Sequence, residues 1–415
     1  MVRRPTLRPV LAALLGAVIS LIAACSSLPY AERGAVPAPV VVEDGSAERR
    51  ALNARVWDAA VGYVTDHYYD RDLRGVDWAG EAALRRDAAL AEPTEAGFYG
   101  RLNNLFDLMD DPHLSATSPA VRARDHASDQ GQAGPSFGLT ATRMGDDWFV
   151  TRVRPDGPAA AAGIQVGWQL IRVDGLSDFL GVSPRLGHPT PLLFEDETGQ
   201  RHERTIAPVE LAPRAPHEAS RRDGILILRF DAFDPEAVEW LEARLREAEG
   251  DPLRAVILDV RDNEGGQLSA LSSVVGLLHR DRVDFAVQNR RLIDVRFVTS
   301  PREVVWEGPL MVLTGPGSAS ASELLAAHVQ DSGRGRVVGE TTAGAVIGSR
   351  DVELPDGGVM SLSLFVILTA ERRSLEGEGV KPNIEVIPTL AQRRAGEDVV
   401  LEAAIAALRA DEAPD

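Results

Sequence analysis

Gly317-Ser318-Ala319-Ser320-Ala321-Ser322-Glu323 crowds three hydroxyls among small residues at a change of pattern. The run before it, Leu310-Met311-Val312-Leu313-Thr314, reads as a buried strand, and Leu324 to Val329 reads as a helix. A strand, a tight turn and a helix together present a serine to a substrate. Ser320 and Glu323 also fit the capping-box spacing, so the serine would equally well start the helix and do nothing else. The helix N-terminus in turn offers free N–H groups and a favourable dipole for a developing oxyanion. From the turn alone both readings stay open.

A second element lies upstream, in Leu258-Asp259-Val260-Arg261-Asp262-Asn263-Glu264-Gly265-Gly266-Gln267. A strand ends there and two glycines turn the chain, which lets backbone amides approach a ligand closely. An amide at Gly265 or Gly266, with that of Ala321, would form an oxyanion hole; the alternative is an ordinary strand-to-helix turn. Ile225 to Phe230 and Ala255 to Val260 are short apolar runs of buried-strand type, with Pro235 to Glu247 between them at helical period. Strands alternating with helices from about residue 219 to 392 predict an α/β core.

Upstream of that core, residues 47–115 carry apolar residues at helical spacing, among them Val56, Ala60, Tyr63, Val64, Phe98, Leu102, Leu105 and Phe106. A small helical domain is expected there, ending near Asp110-Asp111-Pro112-His113, with a polar link onward to Gly134. Residues 134–211 change to short alternating strands. Phe137-Gly138-Leu139, the run from Pro155 to Ile164, and Val166 to Gly175 resemble a PDZ domain, a unit that takes an extended peptide as an added strand. The other reading is a small β-domain that only braces the core. Residues 393–415 read as a C-terminal helix and tail.

The N-terminus reads as an export signal over residues 1–24: Arg3 and Arg4, then about fifteen apolar residues, too few to span a bilayer comfortably. Leu21-Ile22-Ala23-Ala24-Cys25-Ser26 resembles the bacterial lipobox, whose cysteine becomes the lipidated first residue. Cys25 is the only cysteine in the chain, which favours lipidation and excludes an intramolecular disulfide. Ser26 rather than an aspartate after it points to the outer membrane, facing the periplasm. Residues 25–46, rich in Ala, Pro, Val and Ser, are expected to be a flexible tether of up to about 65 Å.

At 415 residues the chain has room for two or three cores. Its formal net charge of −18 and the lack of a basic stripe argue against a nucleic-acid partner. No metal signature and no phosphate-binding glycine loop appears, so no cofactor is expected.

The ordered set Leu258 to Gly266, Ser318 to Glu323, Gln330-Asp331, Val337 to Thr341, Leu354 to Gly358, and Glu376 to Asn383 resembles the C-terminal processing peptidase and tricorn-core superfamily. The resemblance covers nearly all of the chain after the signal and implies a core of ClpP/crotonase type. It implies Ser320 as nucleophile and Gly265, Gly266 and Ala321 around the oxyanion. Processing peptidases place a lysine in Thr-x-Gly-Lys; this chain reads Thr342-Ala343-Gly344-Ala345, and its one lysine is Lys381. The tricorn-like branch instead uses a histidine from the helical region and a glutamate near the C-terminus, positions held here by His113 and Glu376. A neutral imidazole is suited to take the hydroxyl proton and return it to the leaving amine. Asp331 falls at a position that supports the site in lysine-type relatives, and His328 is a reserve base.

The expectation is therefore a lipid-anchored serine endopeptidase with a Ser–His–Glu type site, acting on protein or peptide substrates. The alternative is a catalytically silent peptide- or ligand-binding lipoprotein on the same fold, suggested by the missing lysine and by Asn383, where relatives usually have aspartate. Substrate identity and oligomeric state are not legible.

Overall fold

A computed structural model describes residues 28–32, 36–38, 40–144, 147–176, 184–248, 253–289 and 294–411. The expected signal segment and Cys25 lie outside the described residues.

The centre is a six-stranded sheet with the strand order 384–385, 336–339, 310–314, 255–259, 225–230, 217–222. All neighbours run parallel except the last pair. Ile225–Phe230, Ala255–Asp259 and Leu310–Thr314 are buried at every position, which is why they read as continuous apolar runs rather than alternating ones. Leu226, Leu228 and Phe230 face a core shared with the helices Pro235–Glu247, Leu268–Gly276 and Ala321–Asp331. Ile225 and Ile227, pointing the other way, meet Val400, Ala404, Ile405 and Leu408 of the helix Val399–Asp411. Asp234 and Pro235 set the first of these helices: the Ala237 amide donates to Asp234 Oδ1 at 2.7 Å, and proline occupies the first turn. The loops carrying the Gly265-Gly266 and serine turns leave the carboxyl ends of adjacent parallel strands, the usual place for a site in such sheets.

A second sheet is built on the long strand Val359–Thr369, which pairs with Ile347–Glu353, Asp284–Asn289 and Ser115–Thr117. The helices Ala47–His67, Trp78–Leu90 and Glu95–Phe106 pack on this sheet, sharing a core with Val352, Leu354, Met360 and Leu362. Two polar ties, one buried and one half-buried, fix that docking. Tyr99 Oη donates to the Asp356 carboxylate at 2.9 Å, and Arg122 grips Glu353 bidentately at 2.7 and 2.8 Å. Such forked pairs carry more geometric information than single contacts.

Residues 134–211 contain a five-stranded antiparallel sheet in chain order, with Leu139–Met144 at one edge and Arg201–Ile206 at the other. Its own core includes Val150, Trp168, Leu170, Leu192 and Phe194.

Two expectations are corrected. The polar link before Gly134 contains a helix, Pro119–Asp129. Ser118 caps it through the Val121 amide at 3.3 Å, but the helix exposes so much of its surface that no apolar period marks it. The tether is not free along its whole length either. The Ala31 amide donates to the Asp351 carbonyl at 2.9 Å, the Glu353 amide donates to the Pro29 carbonyl at 2.7 Å, and Leu28 is buried. The edge of Ile347–Glu353 offers unpaired backbone groups, and this segment takes them.

Candidate active site

The serine turn is held from behind by its own flanking hydroxyls. Ser318 Oγ donates to the Val260 carbonyl at 2.7 Å and accepts the Gly315 amide at 3.1 Å. Ser322 Oγ donates to the Asn263 carbonyl at 2.7 Å. Both serines are fully buried, so two of the three hydroxyls are spent on joining this turn to the 260–266 loop. Ser320 differs. It is half-buried; it stands in a capping box with Glu323, and its hydroxyl is tied to no backbone carbonyl. Its backbone sits at φ 53°, ψ −111°, outside the regions open to a serine at low cost. Strain of about 1–3 kcal/mol is the usual cost of such a position.

Glu323 holds that conformation. It is fully buried, and its carboxylate accepts the Ser320 amide at 3.0 Å, the Thr342 hydroxyl at 2.6 Å, and the Gly344 and Ala345 amides at 2.7 and 2.8 Å. Burial pushes its carboxyl above the ordinary value, while the Thr342 hydroxyl and the amides pull the other way. The sequence spacing identified Glu323 only as a cap. Its role as a four-way acceptor depends on the 342–345 loop, which the chain reaches after another strand. Asn263 is a second unforeseen organiser. Its Nδ2 donates to the Phe230 carbonyl at 3.0 Å, and its carbonyl accepts the Ala319 amide at 3.1 Å.

Gly265 abuts the serine. A Cβ built on it would lie 2.7 Å from Ser320 Cβ and 3.0 Å from the Ala321 nitrogen, and its φ of +108° disfavours any other residue. Its amide donates to Asn263 Oδ1 at 2.8 Å. Gly266, at φ +139°, presses against the Phe233 backbone, where a Cβ would come within 2.4 Å of a carbonyl oxygen. Among the described residues no hydrogen bond engages the amides of Gly266 and Ala321.

Ala345 is in contact with the serine turn: the Ser320 amide also donates to the Ala345 carbonyl at 2.9 Å. Here that residue contributes a methyl group. One residue further, the Val346 amide donates to Glu376 Oε2 at 2.7 Å. Burial raises the Glu376 carboxyl, the Val346 amide opposes this, and the charges of Asp111 and Glu323 raise it further. Those charges mark Glu376 as a neighbour of both the serine turn and the helical region.

His113 lies in the loop after Asp107–Met109 and is half-buried. Its Nδ1 is buried with no hydrogen-bond partner. Burial pushes the imidazole below its ordinary value, against the opposing charge of Asp111. Among the described residues no hydrogen bond joins the Ser320 hydroxyl, the His113 ring and the Glu376 carboxylate.

Two sequence candidates lie elsewhere. Asp331 ends the helix that Ser320 begins, roughly 16 Å along its axis at about 1.5 Å per residue. It pairs with Arg373 at 3.1 Å. His328 is buried with its Nε2 2.9 Å from that of His279, and burial pushes it down to about 4. Asn383 accepts the Val337 amide at 2.8 Å and the Gln330 side chain at 3.1 Å, a structural use. Phe137, Gly138 and Leu139 line a cavity of about 840 Å³ together with Arg124, Arg152 and Arg214. Among the described residues no group of three or more His, Cys, Asp or Glu is arranged for a metal ion, and no helix is long and apolar enough to cross a membrane.

Residues 224–386, which hold five of the six strands of the central sheet, both glycines, Ser320 and Glu376, match the family model described as Peptidase family S41. The chain is 25% identical over 373 residues to a carboxyl-terminal-processing protease of Picosynechococcus sp., covering 85% of this chain and 88% of that one. It is 27% identical to the chloroplastic C-terminal processing peptidase of Tetradesmus obliquus, covering 86% and 81%. Two solved structures share the fold. The photosystem II D1 C-terminal processing protease gives a TM-score of 0.59 at 22% identity, covering 83% of this chain and 94% of that one. Mature CPAF gives 0.60 at 13% identity, covering 88% and 99%. The match to Peptidase family S41 thus lies in the core, and the relatives similar over most of the chain are C-terminal processing proteases.

Proposed function

We propose that this chain is a serine endopeptidase in which Ser320 attacks the peptide carbonyl and His113, rather than a lysine, takes the proton and returns it to the leaving amine. The observation that carries this reading is the division of labour among three hydroxyls. Ser318 and Ser322 are tied to backbone carbonyls, whereas the Ser320 hydroxyl is tied to none and stands on a strained backbone at a helix N-terminus. The uncommitted amides of Gly266 and Ala321 supply the oxyanion hole, and Gly265 keeps the space beside the nucleophile open. The Glu376 carboxylate stabilises the imidazolium as it forms. A base of depressed affinity is neutral at pH 7 and ready to accept a proton.

Further parts of the reading rest on the sequence. Lipidation of Cys25 anchors the enzyme to the bacterial outer membrane, facing the periplasm. The 134–211 unit acts as a PDZ-like domain. Support for this is that Leu139–Met144 is an edge strand beside the cavity lined by Phe137, Gly138 and Leu139, so an extended peptide can add there.

Labelling with a fluorophosphonate probe tests the core of the proposal. Wild type should label, and Ser320→Ala and His113→Ala should not, with all three folded. A folded wild type that resists the probe would favour the silent binding lipoprotein instead.

A further inference from the structure

A general base must keep one ring nitrogen free to accept, so its proton belongs on the other, and the group that fixes this tautomer has to face the protonated nitrogen. The His113 loop contains such a group beside the ring. Asp111 is buried. Its Oδ2 accepts the Tyr68 hydroxyl at 2.8 Å, and its Oδ1 accepts the His113 backbone amide at 2.9 Å. The same Oδ1 stands 3.9 Å from His113 Nδ1, the atom that is buried without a partner. That separation is about 1 Å beyond hydrogen-bond reach, a gap typical of sites before substrate arrives. Asp110, at φ 47°, turns the loop, and its carbonyl accepts Arg74 Nη1 at 2.6 Å, which pins the segment from the far side.

We infer that Asp111 is the positioning residue of His113: its Oδ1 accepts a hydrogen bond from Nδ1–H and leaves the Nε2 lone pair facing Ser320. Tyr68 holds the carboxylate in place for this. The inference rests on the Ser–His reading above and reassigns the orienting role from Glu376, whose Oε2 is engaged by the Val346 amide on the core side of the cleft. An orphaned buried nitrogen and a buried carboxylate that makes two hydrogen bonds are each costly alone, and a single shift satisfies both.

The charge balance gives the arrangement a signature. Tyr68, Tyr69, Arg74 and Glu376 share the cluster with Asp111 and His113. Within it, burial lowers the affinity of His113 for a proton and the Asp111 charge raises it. Replacing Asp111 by a neutral isostere therefore moves the acidic limb of activity to lower pH. It also permits the wrong tautomer, because an amide can donate to Nδ1.

The test is the second-order rate of fluorophosphonate labelling of the full-length chain between pH 5 and pH 9. Asp111→Asn should lower the plateau by about a hundredfold or more, within the range general-base catalysis contributes, and shift the acidic limb downward. Tyr68→Phe, which keeps the charge, should lower the plateau by about three- to tenfold and rescue the folding question if Asp111→Asn is unstable. Glu376→Gln should shift the limb by less than Asp111→Asn does. Asp111→Asn that is folded and labels within about twofold of wild type overturns the inference. So does a loss of rate with an unmoved limb, or a limb that moves further in Glu376→Gln than in Asp111→Asn. If His113→Ala labels like wild type, the Ser–His reading itself has failed, which is a separate result.

Discussion

The surroundings of Ser320 and of His113 are built in opposite ways. Around Ser320 almost every polar group is satisfied: Ser318, Ser322, Asn263 and Glu323 tie one turn to three neighbouring loops. Around His113 a buried ring nitrogen has no partner, and its carboxylate neighbour stands 3.9 Å away. One half is over-determined and stores strain at a single residue. The other half sits on a loop of the helical region and is a small movement short of complete. The contrast teaches that the conformation of Ser320 is set by the core alone, while the placing of His113, the proposed base, depends on how the helical region docks.

The contrast can be broken most severely at Glu323. Glu323→Ala strips the acceptor from four donors, so a loss of about 3–5 kcal/mol is expected, on the scale of breaking a buried charged network. A calorimetric Tm unchanged within about 2 °C would refute the view that this carboxylate organises the turn. Next is Gly265→Ala, whose added methyl would sit 2.7 Å from Ser320 Cβ. Probe labelling should fall by about a hundredfold or more, comparable to losing one oxyanion donor. Near-normal labelling would show that the turn yields more readily than its hydrogen bonds suggest.

Acidification separates His113, the proposed base, from the His279–His328 pair. His328 is depressed to about 4 in the folded chain. A histidine with a folded value below its unfolded one binds fewer protons when folded. Stability is therefore intact above about pH 6.5 and is lost as pH falls toward the folded value. The loss by pH 4 should be on the order of 2–3 kcal/mol. His328→Gln should flatten that part of the curve in denaturant titrations and leave the labelling profile alone. His113→Gln should abolish labelling and alter acid stability only slightly. An exchanged pattern would relocate the base to the His279–His328 pair.

The smallest effect is the most diagnostic of strain. Ser320→Gly removes the hydroxyl and accepts a positive φ freely, so the folded chain should gain about 1 kcal/mol while losing all labelling. Ser318→Ala and Ser322→Ala should each lose about 1 kcal/mol for a missing hydrogen bond, with the nucleophile retained. Opposite signs at adjacent serines are readable as Tm shifts; equal signs would mean that Ser320 is not strained.

Much of the core was legible because its signals are local. The continuous apolar runs at 225–230, 255–259 and 310–314 announced strands buried on both faces, and the turn residues between them announced the loops at their ends. The helix Pro119–Asp129 was missed because a largely exposed helix with two buried residues shows no apolar period. The docking of Pro29 to Ala31 was missed because strand addition uses backbone groups, which leave no mark on composition. Asn263 and Glu323 were underestimated because their partners lie in loops brought near only by the sheet.

By itself, then, the chain's sequence determined an α/β core with a serine at a strand–helix turn, two glycines to face it, and a methyl group where relatives carry lysine. Those features are matters of residue type and short-range spacing, which local sterics and burial decide. Which of three hydroxyls is tied to no backbone carbonyl, what holds the strained backbone, and which carboxylate stands beside His113 were decided by the tertiary structure. The first two depend on loops that the central sheet brings together across tens of residues, and the Asp111–His113 pair, though local in the chain, is fixed by Tyr68 and Arg74 from other parts of the helical region.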